Sequence, residues 1–195
     1  MNFKSFYLSE MPKIVRGSED VHSKTEQYWA ETDELYKNSK FVKEYNNDYV
    51  YKVTTDSHKN INIFCMNPNE SSAQKVIGII QFRKGYPIKK YKYPKLSWVS
   101  VHPDFRKKNI ATGLYTTAIA HFGGLVSDTS LTKYDTGSGS VNIWKTLAKV
   151  NNVYAYDGKL FKSISYHDIE DKEYDNYDIL FVVSQMPIKG AIVDD

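Results

Sequence analysis

The sequence predicts a single α+β domain built on a mixed, largely antiparallel sheet. Three observations lead there. Period-two apolar segments follow one another between residues 49 and 101, joined by polar, turn-rich connections. The period then switches to that of a helix across residues 109–122. Beyond it, short strand and helix signals alternate, with no internal repeat and no long low-complexity linker. A chain of 195 residues is the size of one domain, and at that length burial is large enough to fold without a disulfide or metal staple.

Taken in order, residues 3–8 fit a short strand, and Ser18-Glu19-Asp20 offers a helix start. Residues 21–36 then carry Tyr28, Trp29, Leu35 and Tyr36 at helical spacing. Tyr49-Val50-Tyr51-Lys52-Val53 and Ile61-Asn62-Ile63-Phe64-Cys65 read as strands around the turn Asp56-Ser57-His58-Lys59-Asn60. Residues 76–82 and 96–101 supply two more, the last ending at His102-Pro103, and the four predict an antiparallel meander. Ile110, Leu114, Ala118 and Phe122 form one apolar stripe, and Gly123-Gly124 stops that helix. Leu125-Val126-Ser127 reads as a short buried strand, parallel to the strand ending at Val101 because a helix connects them. A Gly/Ser loop at 136–140 leads into a second helix with Val141, Trp144, Leu147 and Ala148 facing in. Strands near 153–156, 160–164 and 179–183 complete the chain.

Composition narrows the class. There are 26 Lys+Arg against 23 Asp+Glu, a formal +3, so net charge implies neither a nucleic-acid coat nor an acidic tail. Hydrophobic content of 41% excludes a disordered chain. Cys65 is alone, which excludes an intramolecular disulfide and a Cys-rich zinc site. The start lacks the apolar stretch of a signal peptide, the apolar runs at 76–80 and 179–183 are too short for a membrane span, and neither end fits a lipid anchor. A cytoplasmic protein without a membrane partner is the expectation.

The chemistry-bearing stretch runs from Leu96 to Tyr115: a strand, a tight turn with Arg106, Lys107 and Lys108, then a helix opening near Asn109. A helix N-terminus offers unpaired N–H donors and the positive end of the dipole, and three cations at the same point make a place for phosphate. Asn109 is a residue that tolerates the left-handed backbone such turns require. On local chemistry alone, a solvated basic turn competes evenly with a phosphate site.

The order of residues resembles the acetyl-CoA signature of the GNAT superfamily of N-acetyltransferases. That pattern is an apolar strand ending in Val-x-Pro, then Arg/Gln-x-x-Gly-x-Gly/Ala opening a helix. Here it reads Val101-His102-Pro103, then Arg106-Lys107-Lys108-Asn109-Ile110-Ala111, with Asn109 where Gly is usual. Val76-Ile77-Gly78-Ile79-Ile80 is similar to the family's preceding strand. Leu125-Val126-Ser127-Asp128, the Gly/Ser loop and Ile143-Trp144-Lys145-Thr146-Leu147 look like a variant found in bacteriophage-encoded members. The likeness covers residues 75–150.

The resemblance implies a GNAT-like twisted sheet with helices on both faces and a splayed central strand pair. It divides one domain into an N-terminal helical substrate-side region (1–48), an acetyl-CoA-binding core (49–150) and C-terminal strands (151–195). It implies acetyl-CoA as cosubstrate, its pyrophosphate on the main-chain N–H groups of Arg106, Lys107, Lys108, Asn109, Ile110 and Ala111, and its pantetheine arm paired with Val99 and Val101. Direct attack by a primary amine, on a small molecule or a protein, is the route implied, in a host cytoplasm if the gene is a phage's. The family's catalytic groups transfer poorly. The 96–101 strand holds Ser97 and Ser100 but no acid, and Trp144 stands where a helix Tyr is common. Asp128 and Ser127, ending the strand across the cleft, are the local candidates for polar work, although a turn-capping Asp is the commoner use of such a residue.

Two rivals stay beside this reading. One is a degenerate GNAT fold acting as a binding or interaction protein, which the missing acid supports. The other is a nucleic-acid module using the stripe at 83–95, where Arg83, Lys84, Lys89, Lys90, Lys92 and Lys95 interleave with Tyr86, Tyr91 and Tyr93. That stripe can also face the acidic run at 168–178, within the monomer or across a homodimer.

Overall fold

A computed structural model describes residues 19–68, 75–83, 88, 90–127, 140–165, 167, 169 and 179–192. Helix α1 (Glu19–Lys37) is followed by β1 (Lys40–Asn46), β2 (Val50–Thr55), β3 (Ile61–Met66), β4 (Val76–Phe82) and β5 (Leu96–Val101). A 3-10 turn (Pro103–Phe105) precedes α2 (Ile110–Phe122), β6 (Gly124–Val126), α3 (Ser140–Ala148), β7 (Asn152–Tyr156), β8 (Phe161–Ser163) and β9 (Leu180–Ser184). Strands β1 to β5 form one antiparallel sheet in sequence order, and β6-β9-β7-β8 form a second. The two meet at a parallel bridge between Lys95 and Val126, where the Val126 N–H donates to the Pro94 carbonyl at 3.0 Å.

The first sheet is covered on both faces, which is why every residue of β4 is buried. On one face Val53, Ile63, Cys65, Ile80 and Phe82 pack against Ile110, Leu114 and Ala118 of α2 and against Trp144 and Leu147 of α3. On the other, Phe64, Met66, Val76 and Ile79 pack against Trp29 of α1, with Tyr28, Leu35 and Tyr36 alongside. Each fully buried side chain of this size is worth about 1.5–3 kcal/mol against exposure, so the sheet is anchored from two sides. Asp33 adds a polar tie, accepting the Val76 N–H at 2.9 Å. Helix α2 lies close to β2 because Gly113 has no Cβ; a methyl there would fall within the Tyr51 hydroxyl and ring. It ends as predicted, at Gly123 with φ 77°, whose N–H donates to the Ile119 carbonyl at 2.8 Å.

The meander gains a strand that the sequence hid. Residues 40–46 lie within the stretch expected to be helical, yet form β1 at the sheet edge. Its lack of an apolar period has a cause: Phe41 is 55% and Val42 49% exposed, because an edge strand with a bulge buries almost nothing. The basic stripe also takes a different form. Tyr93 is buried among Ile88, Val126, Tyr154, Val182 and Ile188, and its hydroxyl sits 2.6 Å from Ser184 Oγ. Tyr91 stacks on Tyr93 at 5.6 Å. These two rings cover the second sheet while Arg83, Lys90 and Lys92 are exposed; Lys84, Tyr86 and Lys89 lie outside the described residues. The expected strand at 3–8 and the acidic stretch at 170–178 lie outside the described residues. Among the described residues, no helix is long and apolar enough to cross a membrane.

Candidate active site

Strands β5 and β6 run parallel and part company just past their bridge. The Ser127 N–H turns to the Phe181 carbonyl at 2.8 Å, joining the second sheet. Strand β5 continues to Val101 as the last strand of the first sheet, and among the described residues no strand pairs with its outer edge there. One extra residue, Ser97, separates the pairs Phe82–Leu96 and Gln81–Trp98, and a bulge of this kind bends and twists a strand away from its neighbour.

The His102 N–H donates to the Ile77 carbonyl at 2.9 Å, which sets the phase of the strand. By alternation, the main-chain groups of Trp98 and Ser100 face β4, and those of Val99 and Val101 face the opening. The side chains alternate the other way. Val99 and Val101 pack on the α2 side, while Trp98 meets Tyr28 of α1 at 6.0 Å and His102 meets Trp29 at 5.3 Å.

The turn beyond β5 follows a defined path. His102 Nδ1 accepts the Asp104 N–H at 3.3 Å and caps the 3-10 turn. Arg106 is extended, Lys107 has φ 62° and Asn109 φ 58°. The Asn109 side chain makes no capping bond. The first intrahelical bond there is Gly113 N–H to the Asn109 carbonyl at 2.9 Å, so the N–H groups of Ile110, Ala111 and Thr112 have no intrahelical acceptor. Left-handed residues alternating with ordinary ones gather successive N–H groups into a concavity suited to an anion. Residues 106–109 are exposed, and Arg106 Nε reaches the Val101 carbonyl at 3.5 Å. Phosphate donors and a bare amide edge are therefore contiguous, which is the pair of features an extended, phosphate-bearing amide chain requires.

The sequence-derived residues divide accordingly. Val99, Val101 and Arg106 through Ala111 are brought together along one edge. Ser127 is 1% exposed, and its Oγ accepts the Phe181 N–H at 2.9 Å, extending the pairing of β6 with β9 by one residue. Asp128 lies outside the described residues. Trp144 is fully buried against Tyr115 and Phe181, at 6.3 and 6.0 Å, and its indole N–H has no partner among the described residues. Burial lowers the pKa of His102, and with Nδ1 accepting, Nε2 carries the ring proton. His121 sits at the far end of α2, where its Nδ1 lies 3.2 Å from the Tyr45 hydroxyl. Among the described residues no cluster of His, Cys, Asp or Glu could hold a metal.

Sequence reasoning passed over Asn62, Gln81 and Trp98, which are linked side chain to side chain across three strands. The available signal was a polar amide in each of two otherwise apolar strands, Asn62 in β3 and Gln81 in β4.

A model of the acetyltransferase (GNAT) family matches residues 24–139, from α1 past the end of β6. No curated protein and no solved structure matches the chain. The matched span includes the bare edge of β5, the left-handed basic turn and the helix that follows, and the chain belongs to the GNAT family of acetyltransferases.

Proposed function

We propose that this protein is an acetyl-CoA-dependent N-acetyltransferase that passes an acetyl group directly to a primary amine. The observation that supports it best is the bare β5 edge running into the left-handed turn at 107–109. A pantetheine arm pairs with Val99 and Val101 as an added strand would. A pyrophosphate takes the N–H groups of residues 106–111, and Arg106 releases the Val101 carbonyl to bind it.

The thioester carbonyl then faces the α1 side of β5. The neutral amine attacks that carbon, the C–S bond breaks and the coenzyme leaves as its thiol. The proton that the nitrogen sheds balances the one the sulphur gains. Ser97 and Ser100 are not bases at neutral pH, so water carries the proton. Ser127 and Asp128 remain the proposed polar participants. Ser127 is almost wholly buried and its oxygen accepts from Phe181, so its part would be to hold the end of β6 against β9. The acceptor is a small molecule or protein bearing an amine. A bacterial cytoplasm as the place of action rests on the resemblance to bacteriophage-encoded members.

A second reading, a GNAT fold that binds without turnover, draws support from the absence of a carboxylate on β5 and from the burial of Trp144. Calorimetry with acetyl-CoA and CoA is the first test, with Ala111→Glu as the comparison. The wild type is expected to bind, and a folded Ala111→Glu to lose at least about tenfold, because its carboxylate competes with phosphate for the same donors. A wild type that binds neither compound overturns the reading. Thiol release over a panel of amines then separates an enzyme from a binding protein.

A further inference from the structure

A row of side chains crosses the first sheet on its α1 face. Thr54, Asn62, Gln81 and Trp98 stand opposite one another in successive strands. Asn62 is 0%, Thr54 1% and Gln81 5% exposed. Gln81 Nε2 donates to Asn62 Oδ1 at 2.7 Å, and the Trp98 indole N–H donates to Gln81 Oε1 at 3.0 Å. Polar groups are costly inside a sheet of Ile and Phe, and here Asn62 Nδ2 and Thr54 Oγ1 find no partner among the described residues. For the fold alone, an apolar row would serve better. What the row does accomplish lies at its other end: it pins the N–H, and so the ring angle, of a tryptophan on the strand that borders the cleft.

That indole is half-buried and faces Tyr28 of α1, with the rings inclined at 62°. Ser100 and His102 follow on the same face of β5. Burial disfavours the charged form of His102, and the cations Arg106, Lys107 and Lys108 lie just beyond. Tyr28, Trp98, Ser100 and His102 thus present aromatic planes and a hydroxyl; the Asp104 carboxylate, 3.8 Å from His102 Nδ1, is outnumbered by the cations Arg106, Lys107 and Lys108 beyond it. Such a surface favours a flat ring and disfavours a polycation.

We propose that this face is the acceptor subsite, that it takes a primary amine carried on a flat, uncharged ring system, and that Gln81 is a positioning residue acting through Trp98. The proposal rests on the acetyltransferase reading above.

Acetyl-CoA binding by calorimetry comes first. Its failure overturns the acetyltransferase reading, and this proposal with it; binding followed by failure below overturns this proposal alone. With acetyl-CoA bound, phenethylamine and putrescine are compared by thiol release and by the indole N–H resonances of 15N-labelled protein. The Trp98 resonance is identified by its loss in Trp98→Phe. The expected result is a KM about threefold to tenfold lower for the ring amine and movement of the Trp98 resonance by that amine. Gln81→Met, which removes both bonds at similar volume, raises that KM and leaves acetyl-CoA affinity unchanged. Gln81→Glu keeps an acceptor for the indole and restores most of the loss. Putrescine used equally well, an unmoved Trp98 resonance, or a Gln81→Met whose KM is unchanged overturns the proposal. If Gln81→Met does not fold, the amine comparison and the resonances of the wild type decide.

Discussion

Asn109 shows how far one residue's backbone can be read from its type. The sequence places Asn where the related pattern has Gly, and the structure gives it φ 58° with an idle side chain. Its role is therefore conformational. Asn109→Gly is expected to keep stability within about 0.5 kcal/mol, and Asn109→Val to lose about 1–2 kcal/mol, since a left-handed β-branched residue is strained. Urea midpoints of the two variants check this; a Gly variant as damaged as the Val variant would show that the amide itself is needed. Lys107, also left-handed at φ 62°, was read for its charge and its main-chain N–H but not for its backbone conformation. Nothing in Arg-Lys-Lys-Asn announces which lysine takes the strained position.

Among the elements, β1 is an exposed edge strand. Among the described strands it pairs with β2 alone, and its Tyr45 hydroxyl lies 3.2 Å from His121 Nδ1 at the end of α2. Burial, and then Lys43, lower the pKa of His121 from 6.5; burial does the same for His102. Both groups bind a proton less readily folded than unfolded. The stability they contribute is present above the unfolded value and is lost as pH falls through the folded value. Urea midpoints are expected to drop as pH falls below about 6.5, and His121→Gln, which keeps a polar partner for Tyr45, is expected to flatten part of that slope. An unchanged slope would remove His121 from the account. In the sequence, His121 stands one residue from the end of α2, and nothing there announces Tyr45, which lies 76 positions away.

At the scale of the molecule, two sheets are joined by a narrow parallel contact, and one thiol reports on the first of them. Cys65 is fully buried on β3, and burial pushes its thiol up to about 12. The native protein is expected to resist a thiol reagent in mildly alkaline buffer. Labelling in urea should follow the same midpoint as circular dichroism. A thiol that reacts well before that midpoint would mean that the five-stranded sheet opens on its own, as a separate cooperative unit.

By itself the sequence determined the alternation of strand and helix, the stops at Gly123 and the β5 turn, and the cluster Arg106 to Ala111, because periodicity, glycine and charge are local properties. It determined the family likeness for the same reason. Only the tertiary structure decided that Tyr93 turns inward, that residues 40–46 form an edge strand, that Val99 and Val101 present their main chain to an opening, and that Asn62 and Gln81 lead to Trp98. Each of those depends on which strand lies beside which, and register between distant segments leaves no mark in either segment alone.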